Sequence, residues 1–192
     1  MLATPKPEKD PMSELKTLLL PIMEGFSEWR NVKGMQEIDA QSMPQPYRQL
    51  LAHQRDMTGT LSQFFGQVLR LDVLEKQYRP PILARRVLLR LKSDQKAVEY
   101  GAIRIHLEHY PESSQERILQ GQEPLGAILN DLQIPYLSQP QRFIKIQETR
   151  FLSQYFDGSE SDVLYGRCNI LSTPDGKILA EIVEVLPPIS QQ

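Results

Sequence analysis

Between Ile82 and Leu91 the chain reads ILARRVLLRL. With side chains alternating as they do along a strand, Leu83, Val87, Leu89 and Leu91 share one face with Arg85, while Arg86 and Arg90 take the other. Alternation recurs over Val68 to Gln77, Ala97 to Leu107, Gln139 to Thr149, Val163 to Ser172 and Lys177 to Leu186, which predicts six strands. In the third, Gly101, Ile103, Ile105 and Leu107 form one face. Thr173-Pro174-Asp175-Gly176 is a hairpin turn between the last two strands. On the final strand Ile178, Ala180, Ile182 and Leu186 share a face with Glu184, and the opposite parity carries Leu179, Glu181, Val183 and Val185.

Helical spacing appears elsewhere. Leu15, Leu18, Leu19, Ile22 and Phe26 recur behind a Ser13 cap, with Pro21 set to kink or divide the segment. A second helix runs from Pro46 through Tyr47, Leu50 and Leu51 to near His53. Asp56-Met57-Thr58 reads as a helix start with Leu61, Phe64 and Phe65 as its apolar stripe, and Gly66 ends it. A helical piece lies around Arg117 to Leu119. Pro124 then falls at the first turn of a helix whose buried stripe is Leu125, Ile128, Leu129 and Leu132. Trp29 to Met43 carries no pattern that assigns it, and Phe151 to Gly158 reads as an aromatic-rich connection. The sum is an α+β fold, a six-stranded, mainly antiparallel sheet with flanking helices. Residues 1–12 form a Pro-rich, apolar-poor tail expected to be flexible, 13–55 a helical extension packed on the domain, and 56–192 the α+β domain itself.

The 192 residues suffice for one sizeable core, and 40% hydrophobic with 24% charged residues is ordinary for a globular domain. A net charge of −2 without a basic tract argues against a nucleic-acid partner. Leu18 to Met23 is too short and too broken to span a bilayer, and a single cysteine, Cys168, excludes an internal disulfide; a cytoplasmic protein is expected. His106 and His109 lack a third ligand close in sequence, so no metal is expected. Cys168 reads as a small hydrophobe on a strand. No GxGxxG or GxxxxGK is present, leaving nucleotide cofactors without support.

Arg85 carries the candidate chemistry. A guanidinium does not shed its proton, and burying it unpaired costs several kcal/mol, so an anion must meet it. Two partners fit. One is a protein carboxylate, with Glu184 the obvious choice if the strands are neighbours. The other is the carboxylate of a ligand, held between Arg85 and Glu184 and received by the first-turn amides of a helix.

Several short motifs come in a distinctive order: DMT at Asp56 to Thr58, RRVLL around Arg85, EPLG at Glu123 to Gly126, RFIKI at Arg142 to Ile146, LYGR at Leu164 to Arg167 and EVLP at Glu184 to Pro187. In this the chain resembles the chorismate pyruvate-lyase family over about Asp56 to Pro187. The resemblance implies a chorismate-lyase-like fold with a closed product pocket, and a cofactor-independent, metal-free lyase that turns chorismate into 4-hydroxybenzoate and pyruvate for quinone biosynthesis, ubiquinone or plastoquinone. It implies that Arg85 grips the ring carboxylate and that the backbone N–H groups of Met57 and Leu125 add anion donors. Glu184 then faces the ring oxygen and protonates the departing enolpyruvyl ether, with its pKa raised by apolar surroundings. The family often has an arginine where Ala102 follows Gly101 here. Arg104, sharing a face with Ala102, is the expected substitute as the second substrate-binding cation, and Arg142 the next candidate. The last strand aligns only after a one-residue gap, which leaves Glu181 as a rival to Glu184. Two other readings stand beside the lyase. One is a non-catalytic aromatic-acid sensor, because effector domains of some transcription regulators have a similar sheet, although no helix-turn-helix is visible in the chain. The other is a structural module in which Arg85 and Glu184 merely pair.

Overall fold

The computed structural model describes residues 34–147, 150–156 and 163–189. The tail and the Ser13 to Phe26 helix expected from the sequence lie outside the described residues. The strands are β1 (Met35–Ile38), β2 (Leu69–Arg79), β3 (Ile82–Leu91), β4 (Ala97–His106), β5 (Leu137–Ile146), β6 (Leu164–Ser172) and β7 (Ile178–Leu186). They form one antiparallel sheet in the order β1-β5-β6-β7-β4-β3-β2. The helices are α1 (Tyr47–Leu51), α2 (Met57–Phe65), α3 (Glu112–Gln120), α4 (Leu125–Asp131) and α5 (Arg150–Ser153).

The architecture is α+β and antiparallel, but among the described residues the sheet has seven strands where alternation predicts six. The additional one is β1, whose four residues pair with β5, Met35 opposite Ile146 and Ile38 opposite Phe143. Four residues are too few to display a period, and two of these are the polar Gln36 and Glu37. The segment between 34 and 55 is therefore not purely helical: it supplies an edge strand, and Tyr47, Leu50 and Leu51 of α1 are buried in the core. The expected aromatic connection after β5 contains the short helix α5, whose Phe151 meets the Tyr100 ring edge-on at 5.7 Å.

The sheet is covered on both faces. Leu88, Tyr100, Ala102, Ile144, Val183 and Val185 pack with Leu152 and Phe156 on one side. On the other, α1 and α2 bury Leu51, Met57 and Leu61 against Leu71, Val87 and Leu89. Next to them α3 and α4 bury Ile118, Ile128 and Leu129 against Leu83, Ile103 and Ile105. The second face thus carries two apolar clusters, one under each helix pair. Among the described residues no helix is long and apolar enough to cross a membrane.

Candidate functional site

A cavity lies between the sheet and the paired helix starts on that second face. It encloses about 560 Å³ of unfilled space, counting the part open to solvent, and its walls include Leu71, Val87, Leu89, Ile103, Leu171 and Ile182. Apolar walls with a few polar groups are the usual form of a small-molecule site. The polar groups are Arg85 from β3, Glu99 from β4, Asn169 from β6, Glu184 from β7, and the first residues of α2 and α4.

The two helix starts converge because of one aspartate and one glycine. Asp56 caps α2, its Oδ1 accepting from the Gly59 N–H at 2.6 Å. A Cβ on Gly126 would stand 3.0 Å from that same Oδ1 and 3.2 Å from the Asp56 Cβ, so only a bare α-carbon lets the first turn of α4 approach so closely. The remaining first-turn amides, Met57 and Thr58 in α2 and Leu125 and Gly126 in α4, have no acceptor within their helices. All four residues line the cavity.

Arg85 is 1% exposed, and its Nε and Nη1 have no hydrogen-bond partner among the described residues. Burial pulls its pKa down to about 10, so it is still a cation at neutral pH. Arg85 and Glu184 do not pair. Through the registers Arg85–Ile103, Ile103–Ile182 and Gly101–Glu184 they sit two strands apart and offset by two residues. Ordinary strand spacing then puts their α-carbons about 12 Å apart. Glu184 is instead bound by Arg167, its register partner on β6, whose Nε donates to Glu184 Oε2.

Arg167 has no exposed surface and its remaining donors are used as well. Nη1 donates to the carbonyls of Leu51 at 3.1 Å and His53 at 3.0 Å, and Nη2 to that of Arg55 at 3.3 Å. It therefore ties the pocket acid to the loop between α1 and α2, immediately before the Asp56 cap. His53 fits the same arrangement as a neutral ring, Nε2 donating to Leu50 O at 2.7 Å and Nδ1 accepting from the Arg55 N–H at 3.1 Å. Burial, then the nearby Arg167, hold its pKa below the ordinary value.

The surroundings of Glu184 are thus not simply apolar, contrary to expectation: the buried Arg167 guanidinium lies against its carboxyl group. The carboxyl pushed strongly upward is Glu99, first by burial and then by the charge of Glu184. Glu99 went unnoticed in the sequence, although the alternation that places Gly101 and Ile103 on one face puts Glu99 there too.

Other candidates lie elsewhere. Ala102 is buried in the cluster on the opposite face, and Arg104, which shares its parity, binds Glu181 Oε2 at 3.4 Å rather than lining the cavity. Glu181 also meets His106 Nε2 at 3.1 Å, so of the two rival acids it is Glu184 that lines the cavity. Arg142 pairs with Glu37 of β1 at 3.0 Å. His109 Nδ1 is 2.7 Å from the Ile178 carbonyl. No cluster suited to a metal ion occurs among the described residues. Cys168 is buried, and burial pushes its thiol up to about 12.

No protein-family model and no curated protein matches the chain. Solved structures do share its fold. It is similar to a possible transcriptional regulator, YydK from Bacillus subtilis, with TM-score 0.52 and 10% identity over 96% of this chain and 89% of that one. It is similar also to PhnF from Mycobacterium smegmatis, with TM-score 0.51 and 8% identity over 69% of this chain. A gene product of Staphylococcus aureus gives TM-score 0.51 and 11% identity over 74% of this chain and 98% of that one. The chain spans about 63% of PhnF. At such identities the likeness is one of fold, and the seven-stranded α+β architecture is consistent with the chorismate-lyase-like fold.

Proposed function

We propose that the cavity binds a small aromatic carboxylic acid and that the protein is a cofactor-independent lyase releasing pyruvate from chorismate to leave 4-hydroxybenzoate. The observation that carries the binding half is Arg85, a buried cation with free donors and, among the described residues, no carboxylate paired with it. An apolar ring bearing a carboxylate suits it: the carboxylate neutralises the guanidinium, the first-turn amides of Met57 and Leu125 add donors, and the ring fills the aliphatic walls. Glu184, two strands away, faces the far end of such a ligand.

The reaction asks little more of the protein. Loss of the C4 hydrogen and cleavage of the C3–O bond aromatise the ring, and the enol that leaves becomes pyruvate, so the atoms balance without oxidant or metal. The protein holds the substrate in a reactive pose, excludes water and handles a proton at Glu184. A second reading, an aromatic-acid sensor that turns nothing over, is favoured by the fold likeness to a possible transcriptional regulator. Both readings share the Arg85 contact and differ only in chemistry.

The test is to incubate the purified protein with chorismate and follow pyruvate, while measuring 4-hydroxybenzoate binding calorimetrically. Pyruvate release that falls about 100-fold or more in Glu184→Gln, with substrate binding largely kept, is the outcome expected of the lyase. Tight binding of 4-hydroxybenzoate with no turnover selects the sensor. A folded protein that does neither refutes both.

A further inference from the structure

Away from Arg85, Glu99 of β4 and Glu184 of β7 both line the cavity, and Arg167 stands behind Glu184. Arg167 and Glu184 are joined in a buried pair, so their charges cancel. Glu99 is 4% exposed, lines the same cavity, and its Oε2 has no hydrogen-bond partner among the described residues. A second carboxylate here would be an uncompensated buried charge beside a like charge, costing far more than a neutral acid. The other charged groups acting on Glu99 leave this balance in place: Glu184 and Asp56 oppose its ionisation and only Arg167, already bound to Glu184, favours it. The fold keeps room for this carboxyl. A Cβ on Gly101 would stand 3.0 Å from Val87 Cγ2 and 3.3 Å from Glu99 Oε1.

We infer that Glu99 is the neutral hydrogen-bond donor of the cavity, a specificity-determining residue whose carboxyl proton is offered to an oxygen on the ligand opposite its carboxylate. A carboxylate can only accept, whereas a protonated carboxyl donates as well. Glu184 and Glu99 together therefore present one acceptor and one donor to the same region, the pattern that suits a ring hydroxyl or an ether oxygen. A ring without oxygen there leaves both acids unsatisfied, and a buried site built for a hydroxyl discriminates strongly against ligands lacking one. The preferred ligands are then 4-oxygenated aromatic acids rather than benzoate or its 4-alkyl relatives. This rests on the aromatic-carboxylate reading of the cavity and adds which substituent the far end selects.

Calorimetric affinities for 4-hydroxybenzoate, benzoate and 4-methylbenzoate on the full chain, for wild type, Glu99→Gln and Glu99→Leu, test the inference. The wild type is expected to prefer 4-hydroxybenzoate, Glu99→Leu to lose about tenfold of that preference, and Glu99→Gln, which keeps a neutral donor, to retain it within about threefold. An infrared difference spectrum of ligand-free wild type against Glu99→Gln at neutral pH should show the carbonyl band of a protonated carboxyl. A preference unchanged in Glu99→Leu, equal weakening toward all three acids, loss of preference in Glu99→Gln, or absence of the band overturns the inference while leaving Arg85-dependent binding standing. A wild type that binds none of the three acids overturns the aromatic-carboxylate reading, and the specificity role with it; the infrared band then still reports separately whether Glu99 holds a proton.

Discussion

Arg85 and Arg167 are both fully buried arginines on the cavity side of one sheet, and the protein treats them oppositely. Arg167 spends its donors on Glu184, on the carbonyl of Leu51 at the end of α1, and on those of His53 and Arg55 in the loop that follows. Arg85 has two donor atoms, Nε and Nη1, with no partner among the described residues. A buried guanidinium is tolerated structurally when its fork is filled, and Arg167 meets that condition within the chain. Among the described residues nothing fills the fork of Arg85, which an anion from outside would complete. The contrast separates a cation that builds the site from one that is kept for a guest, and burial alone does not distinguish them.

Truncating each arginine in turn gives the largest expected effects. Arg167→Ala leaves Glu184 buried and unpaired and releases the 52–56 loop, so denaturant unfolding should register a loss of about 3–5 kcal/mol. Arg85→Met should act in the other direction on the empty protein, removing unsatisfied donors and raising its stability by about 1–3 kcal/mol. The same variant should weaken 4-hydroxybenzoate binding by about 2–5 kcal/mol, read by titration calorimetry. If Arg85→Met destabilises as Arg167→Ala does and leaves affinity unchanged, the two residues are equivalent and the contrast fails.

Asp56→Ala sharpens the boundary between the two regions. It removes the α2 cap and should cost about 1 kcal/mol in thermal or chemical unfolding, with a smaller loss of carboxylate affinity as the Met57 turn loosens. The smallest effect is in the pH dependence near Arg167. Because His53 in the folded protein is held below its ordinary 6.5, the unfolded chain binds this proton more readily than the folded one. Its contribution to stability is therefore complete above pH 6.5 and is lost as pH falls through the lower folded value. The protection of the 52–56 amides against hydrogen exchange, taken relative to their intrinsic rates at each pH, should fall on acidification over that range in the wild type, and His53→Gln should flatten the response.

Much of this protein follows from local pattern. Two-residue alternation separates Arg85 from Arg86 and Arg90 and puts Glu184 on the same strand face as Ile182, because a strand has only two faces. Asp56 before Met57, Gly66 after Phe65 and Thr173-Pro174-Asp175-Gly176 mark helix and hairpin ends by the backbone conformations those residues favour: Gly66 and Gly176 adopt positive φ. Partnership is another matter. Glu184 binds Arg167 because β6 lies beside β7, Arg104 binds Glu181 because β4 lies on its other side, and neither adjacency is written in a local period. The four-residue β1 is recruited by β5 rather than by its own propensity. What the strand order decided, finally, is that Arg85 stands two strands from Glu184, close enough to share a cavity and too far to share a bond, since lateral spacing in a sheet is set by hydrogen bonding between strands distant in sequence.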